Sequence, residues 1–90
     1  MEVLFKKSFI KDFERLPAGI KEKVKEICLF IFPKIKNFGE LYEYNVKKLK
    51  GFDGYYRIKI GNYRVGFKKD RETIIFMRIL HRKDIYRNFP

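Results

Sequence analysis

Most of the side chains that carry enzyme chemistry are scarce in this sequence. Ninety residues hold one histidine (His81), one serine (Ser8), one threonine (Thr73) and one cysteine (Cys28). No Ser-His-Asp or Cys-His arrangement can be built from them, and His81 lacks the companion ligands of a zinc site. Gly61 and Gly66 read as hairpin glycines, and no phosphate-cradling loop is present. Cations, by contrast, are abundant: 22 Lys and Arg against 11 Asp and Glu, a net charge of +11. Carboxylates are too sparse in the basic half to suggest a two-metal nuclease. Phosphoryl chemistry on RNA remains open, because the 2′-hydroxyl of RNA can attack its own adjacent phosphate. The protein then supplies a base, positioning, and cations for the charge that develops on the phosphorane. A lysine held among other cations gives up its proton more readily. Lys59, between Arg57 and Arg64, has such neighbours, and Tyr86 or His81 could assist proton transfer or orientation.

The elements that must position these residues lie in the second half of the chain. Residues 1–45 carry 9 basic and 7 acidic groups, whereas residues 46–90 carry 13 and 4, so nearly all the excess charge is C-terminal. Tyr55 to Ile60, a Gly61-Asn62 turn and Tyr63 to Phe67 predict a two-residue hairpin. Alternation puts Tyr56, Ile58 and Ile60 on one face and Tyr55, Arg57 and Lys59 on the other. Lys59 then lies across from Arg64, a like-charge pairing that costs about 0.2–1 kcal/mol. A solvated strand face ordinarily mixes signs, but no acidic residue occurs between Tyr55 and Lys69. The segregation favours an anion-binding face. Tyr55 offers a ring for base stacking, and Arg82, Arg87 and Arg78 are candidates to extend the patch, Arg78 only if the register across the Lys69–Glu72 loop turns it to the same side.

The rest of the chain reads as scaffold. Glu2 to Lys7 predicts a strand, and Ser8 is a candidate N-cap for a helix with Phe9, Ile10, Phe13 and Leu16 on one face. After Pro17, the residues Ile20, Val24, Ile27 and Ile31 predict a second helix, which Pro33 closes. Asn37 to Asn45 reads as a connection, with a short strand over Val46 to Leu49. A third strand follows the loop Lys69 to Glu72, from Thr73 through Ile75, Met77 and Ile79 to about His81. Ile85, Tyr86 and Phe89 are candidate anchors in the tail. These elements predict one α+β domain over residues 1–90, with an N-terminal strand and two helices packed on an antiparallel sheet. With 46% hydrophobic residues the composition is that of a globular chain, not a basic tail. The lone Cys28 fits a reducing compartment, and no export signal or spanning segment is evident, so the expectation is a cytoplasmic protein that needs no membrane.

Three blocks carry a family resemblance: Leu49-Lys50-Gly51, Tyr56 to Val65, and His81-Arg82-Lys83-Asp84-Ile85-Tyr86-Arg87. In order and spacing the chain resembles the RelE/ParE toxin superfamily over nearly its whole length, and its RelE branch in particular. The resemblance implies a RelE-like fold and the toxin of a type II toxin–antitoxin system. It implies an endoribonuclease (an mRNA interferase) that needs neither metal nor cofactor and cuts mRNA in the A site of the 70S ribosome. By similarity, Arg57 and Lys59 match the two basic positions of the hairpin strand, and Lys59 resembles the general base. Arg64 matches the phosphate-stabilising arginine, Arg82 the arginine after the last strand, and Tyr86 the tyrosine that orients or stacks on substrate. Arg57 departs from the lysine usual at its position and is a poor proton acceptor, which leaves Lys59 or Tyr86 as the base. Lys50, Tyr55, Arg78, His81 and Arg87 complete the expected RNA-binding surface. The implied partner is a RelB-like antitoxin, with two copies of each chain in the complex. The alternatives are a ParE-like toxin acting on DNA gyrase, and a non-catalytic RNA- or antitoxin-binding module.

Overall fold

The computed structural model describes residues 1–90. Five strands form one sheet in the order β1-β5-β4-β3-β2. They are β1 (Glu2–Phe5), β2 (Val46–Lys48), β3 (Tyr55–Ile60), β4 (Tyr63–Asp70) and β5 (Thr73–His81). Strand β1 runs parallel to β5, and every other pairing is antiparallel. Helices α1 (Lys7–Glu14) and α2 (Ala18–Val24) cover one face, and the tail closes with α3 (Ile85–Asn88). The fold is thus the expected α+β arrangement. No helix is long and apolar enough to cross a membrane.

The covered face is aromatic. Phe32, Phe67 and Phe76 are fully buried, with ring centroids 5.5–5.8 Å apart, and Phe9 packs on Phe76 at 5.5 Å. Such ring pairs add about 0.5–1.5 kcal/mol each beyond their buried area. Cys28 belongs to this core, and its burial pushes the thiol far above its ordinary pKa, leaving it protonated and inert.

The second helical stripe differs from the expected one. Val24, Cys28 and Phe32 are completely buried, while Ile20, Ile27 and Ile31 sit on the flank. Lys25–Ile31 winds as a π-helix, whose wider turn brings residues four apart onto one line. Pro33 supplies a cause, since it cannot donate to Leu29 and its ring crowds that carbonyl. Ser8 does not cap α1; Lys6 is the N-cap and Ser8 lies inside the first turn. Asn37–Asn45 is not a plain connection, because Phe38–Tyr44 forms a 3₁₀ helix. Asn37 and Glu40 make a reciprocal capping box, a signal legible in their spacing.

On β4 and β5 the expected four-residue loop shrinks to a turn at Arg71-Glu72, because β4 continues to Asp70. Phe67 pairs with Phe76 but Gly66 with Arg78, so Met77 is an extra residue, a β-bulge that shifts the alternation. Ile74, Phe76 and Ile79 are therefore buried in the aromatic core, and Ile75 and Met77 are not. A second, smaller cluster of Leu49, Ile85 and Phe89 packs with Tyr55, Met77 and Leu80 on the opposite face. Phe89 lies directly on Gly66, where a Cβ would come within 2.7 Å of the ring. Gly66 is thus a seat for the tail and not a turn residue. Tyr86, expected as an anchor, is 63% exposed.

Candidate functional site

The hairpin forms with the expected register, Lys59 opposite Arg64 and Ile58 opposite Val65. Ile58, Ile60, Val65 and Phe67 are buried on the aromatic side, so Arg57, Lys59 and Arg64 point away from it. Strand β2 adds a residue that sequence reasoning missed. Its Lys47 pairs directly with Arg57, one row along from the Lys59–Arg64 pair. Two rows of two cations result. They line a cavity of about 410 Å³ shared with Tyr42 and Asn45. Asn45 sits at the entry to β2 with a left-handed φ of 59°, and its carbonyl accepts from the Lys59 amide at 3.2 Å. The basic run Lys47-Lys48 and the strand predicted there were the available signals; which strand it would join was not.

None of these four cations has a carboxylate partner. Arg64 turns one nitrogen onto the carbonyls of Gly61 and Tyr63, both at 3.0 Å, while its Nε and Nη2 stay free of protein acceptors. The Arg57 guanidinium lies 5.9 Å from the centre of the Tyr86 ring, a cation–π contact that holds the tyrosine beside the cluster. Tyr86 lines an adjoining cavity of about 300 Å³ in which Lys47 and Arg57 also take part. Lys50 borders it too, so both cavities open onto the same pair of cations. Arg82 is exposed at the hairpin turn, where its amide donates to the Asn62 carbonyl at 2.8 Å, outside either cavity.

The remaining candidates are placed elsewhere or already engaged. Arg78 donates to the Asp12 carboxylate at 2.8 and 3.3 Å, and Arg87 pairs with Asp84 at 3.1 Å. Tyr55 packs edge-on against Phe89 with the Lys68 ammonium over its ring, so it is part of the small cluster under the tail. His81 stands edge-on to Tyr63 and its Nδ1 accepts from the Lys83 amide at 3.2 Å. It shares a separate recess with Asp12, Arg78 and Asp84. The geometry therefore gathers Arg57, Lys59, Arg64 and Tyr86 with Lys47 and Lys50, and sets Arg78, His81 and Arg87 apart. Unpaired cations around a hollow suit an anion with several oxygens, and a phosphodiester is the natural fit.

Residues 3–86 match the family described as the ParE toxin of the type II toxin-antitoxin system, parDE. Toxin RelE3 of Methanocaldococcus jannaschii is 44% identical over 92 residues, with 100% of both chains covered. A chain of the RelB-RelE antitoxin-toxin complex from Methanococcus jannaschii superposes with a TM-score of 0.75 at 41% identity, covering 97% of this chain and 99% of that one. The isolated RelE toxin of E. coli, at 15% identity over 89% of this chain and 82% of that one, shares the fold with a TM-score of 0.66.

Proposed function

This chain belongs to the ParE/RelE toxin family of type II toxin–antitoxin systems, as a RelE-like toxin, and from that premise we propose that it cuts mRNA on the ribosome. The observation that carries the reading is the set of four unpaired cations, Lys47, Arg57, Lys59 and Arg64, with Tyr86 held against Arg57. In this reading residues 1–90 act as one toxin domain, working in the cytoplasm where the ribosomes are.

The reaction uses the nucleophile that RNA brings. The 2′-hydroxyl oxygen forms a bond to the adjacent phosphorus as the bond from phosphorus to the 5′-oxygen breaks. Lys59, reacting as its neutral amine, accepts the 2′ proton, and the leaving 5′-oxygen takes a proton from water at this open site. The products are a 2′,3′-cyclic phosphate end and a 5′-hydroxyl end. Arg57 and Arg64 hold the non-bridging oxygens as negative charge builds on them. Tyr86 orients the nucleotide, and Arg82 at the hairpin turn holds the flanking backbone.

The partner in this reading is a RelB-like antitoxin with an acidic or amphipathic helix. A groove between α1 and the second helix, lined by Phe5, Phe9, Ile10, Phe13 and Leu29, suits its apolar face. Lys25 in that groove suits its acidic flank.

The test maps RNA ends after the purified chain is added to translating ribosomes, and again to naked mRNA. Cuts within the A-site codon are expected only with ribosomes, falling by about 10²–10³-fold in Arg64→Ala, the loss typical of a transition-state donor. Arg82→Ala is expected to reduce them as well. Growth arrest that survives both substitutions overturns the reading. Because the family match is described by ParE, a supercoiling assay on DNA gyrase is run beside it, and inhibition there with intact mRNA would favour the gyrase reading.

A further inference from the structure

Between β2 and β3 the chain turns sharply and displays a phenylalanine. Gly51 and Gly54 adopt left-handed φ of 84° and 81°, conformations that favour glycine. Between them the Phe52 amide donates to the Leu49 carbonyl at 3.4 Å, and the Phe52 carbonyl accepts from the Tyr55 amide at 3.2 Å. The turn is therefore tied at both ends, yet the ring it presents is 51% exposed. Phe52 faces the adjoining cavity of about 300 Å³, whose other exposed ring is Tyr86. The buried side chains of Leu49 and Phe89 also line the cavity and belong to the small second core, which gives its walls a packed backing. Lys48 is offset by Asp53 at 3.5 Å, leaving Lys47, Lys50 and Arg57 as the cations around the opening.

Aromatic faces beside a cationic track are the combination that holds single-stranded nucleic acid, rings taking bases and cations taking the backbone. The cavity volume is at the low end for small-ligand sites, which suits one base. Its two shared cations, Lys47 and Arg57, also line the larger cationic cavity next door. We propose that this second cavity is a nucleobase subsite, in which Phe52 stacks on an unpaired base of the RNA whose phosphate lies against Lys47 and Arg57. The proposal rests on the ribonuclease reading for its substrate, and it assigns to Phe52 the preference for the nucleotide beside the cut. Phe52 is a binding residue and takes no proton.

The test uses the full chain with Phe52→Leu, which stays apolar but loses the ring face, and Phe52→Tyr, which restores a ring. Binding to a short single-stranded RNA oligonucleotide is measured by anisotropy, and cut positions are mapped on translating ribosomes. Because Phe52 is half exposed, thermal melting of both variants should match the parent and serves as the fold control. Phe52→Leu should weaken oligonucleotide binding about tenfold and spread the cuts over more codons, with Phe52→Tyr returning both toward the parent. Unchanged binding and unchanged cut positions in Phe52→Leu overturn the subsite. Loss confined to binding of an acidic partner helix also overturns it, placing Phe52 in a protein interface. If the parent chain binds RNA through Phe52 but cuts nothing, the subsite stands and the ribonuclease reading falls.

Discussion

Gly66 illustrates how one residue shapes the cationic face. It lies in the middle of β4 beside Arg64, with Phe89 resting where its side chain would be. Any Cβ must push the Phe89 ring outward, and the tail that carries Tyr86 moves with it. Gly66→Ala should therefore destabilise the fold by about 1–3 kcal/mol, the usual consequence of overpacking. Urea denaturation gives the value. In a Phe89→Ala background the same substitution should be nearly neutral, since the clash is then gone. Equal losses in both backgrounds would mean that the strand itself, not the tail, requires glycine. Arg64 shows the opposite economy, with part of its guanidinium held by turn carbonyls and the rest free for an oxyanion.

Among the elements, α1 does something beyond covering the core. Strand β1 pairs with β5 only as far as Phe5 and Phe76, which leaves the second half of β5 as an open edge. The helix and its N-cap residue supply the missing partners. The Lys6 amide donates to the Phe76 carbonyl at 2.9 Å, and Ser8 Oγ donates to the Met77 carbonyl at 2.6 Å. One turn on, Asp12 accepts from the Ile79 amide at 2.9 Å and from Arg78. These bonds complete a ladder that would otherwise expose backbone groups to another strand. Asp12→Ala should cost roughly 1.5–3 kcal/mol, as for hydrogen bonds to a charged group. Native-state hydrogen exchange provides the specific readout: the Ile79 amide should lose protection while amides of β3 keep theirs. An Ile79 amide that stays protected would show that the helix is not standing in for a strand. The pairing also explains why Arg78, though basic and in the right half, is not a free cation.

For the molecule as a whole, the +11 charge resolves into cations with partners and cations without. Asp53, Asp84 and Asp12 take up Lys48, Arg87 and Arg78, and none reaches the β2-β3-β4 face. Binding of single-stranded RNA there should weaken steeply with salt through counterion release. With Lys47, Arg57, Lys59 and Arg64 each neutralising a phosphate, the slope of log K against log salt should be about −3, from roughly −0.7 per contact. Titrations across salt concentrations measure it, and Arg57→Ala should make the slope shallower by about one contact. A slope near zero would contradict the electrostatic account of this face.

The chain by itself determined what depends on local spacing. A two-residue turn and strict alternation were enough to set Lys59 against Arg64 and to turn Arg57, Lys59 and Arg64 away from the core, because strand period and turn length are properties of the backbone. The scarcity of Ser, His and Cys likewise limited the chemistry before any fold was known. Tertiary structure alone decided what depends on distant partners. Asp12 meets Arg78 across 66 positions, Lys47 becomes a neighbour of Arg57 only when β2 takes the sheet edge, and Phe89 finds Gly66 only when the tail folds back. The Met77 bulge and the π-turn before Pro33 belong here too, since each shifts a local period to satisfy packing. The excess of cations is written in the composition; which of them are free to hold a phosphate follows from where the few carboxylates fall in the fold.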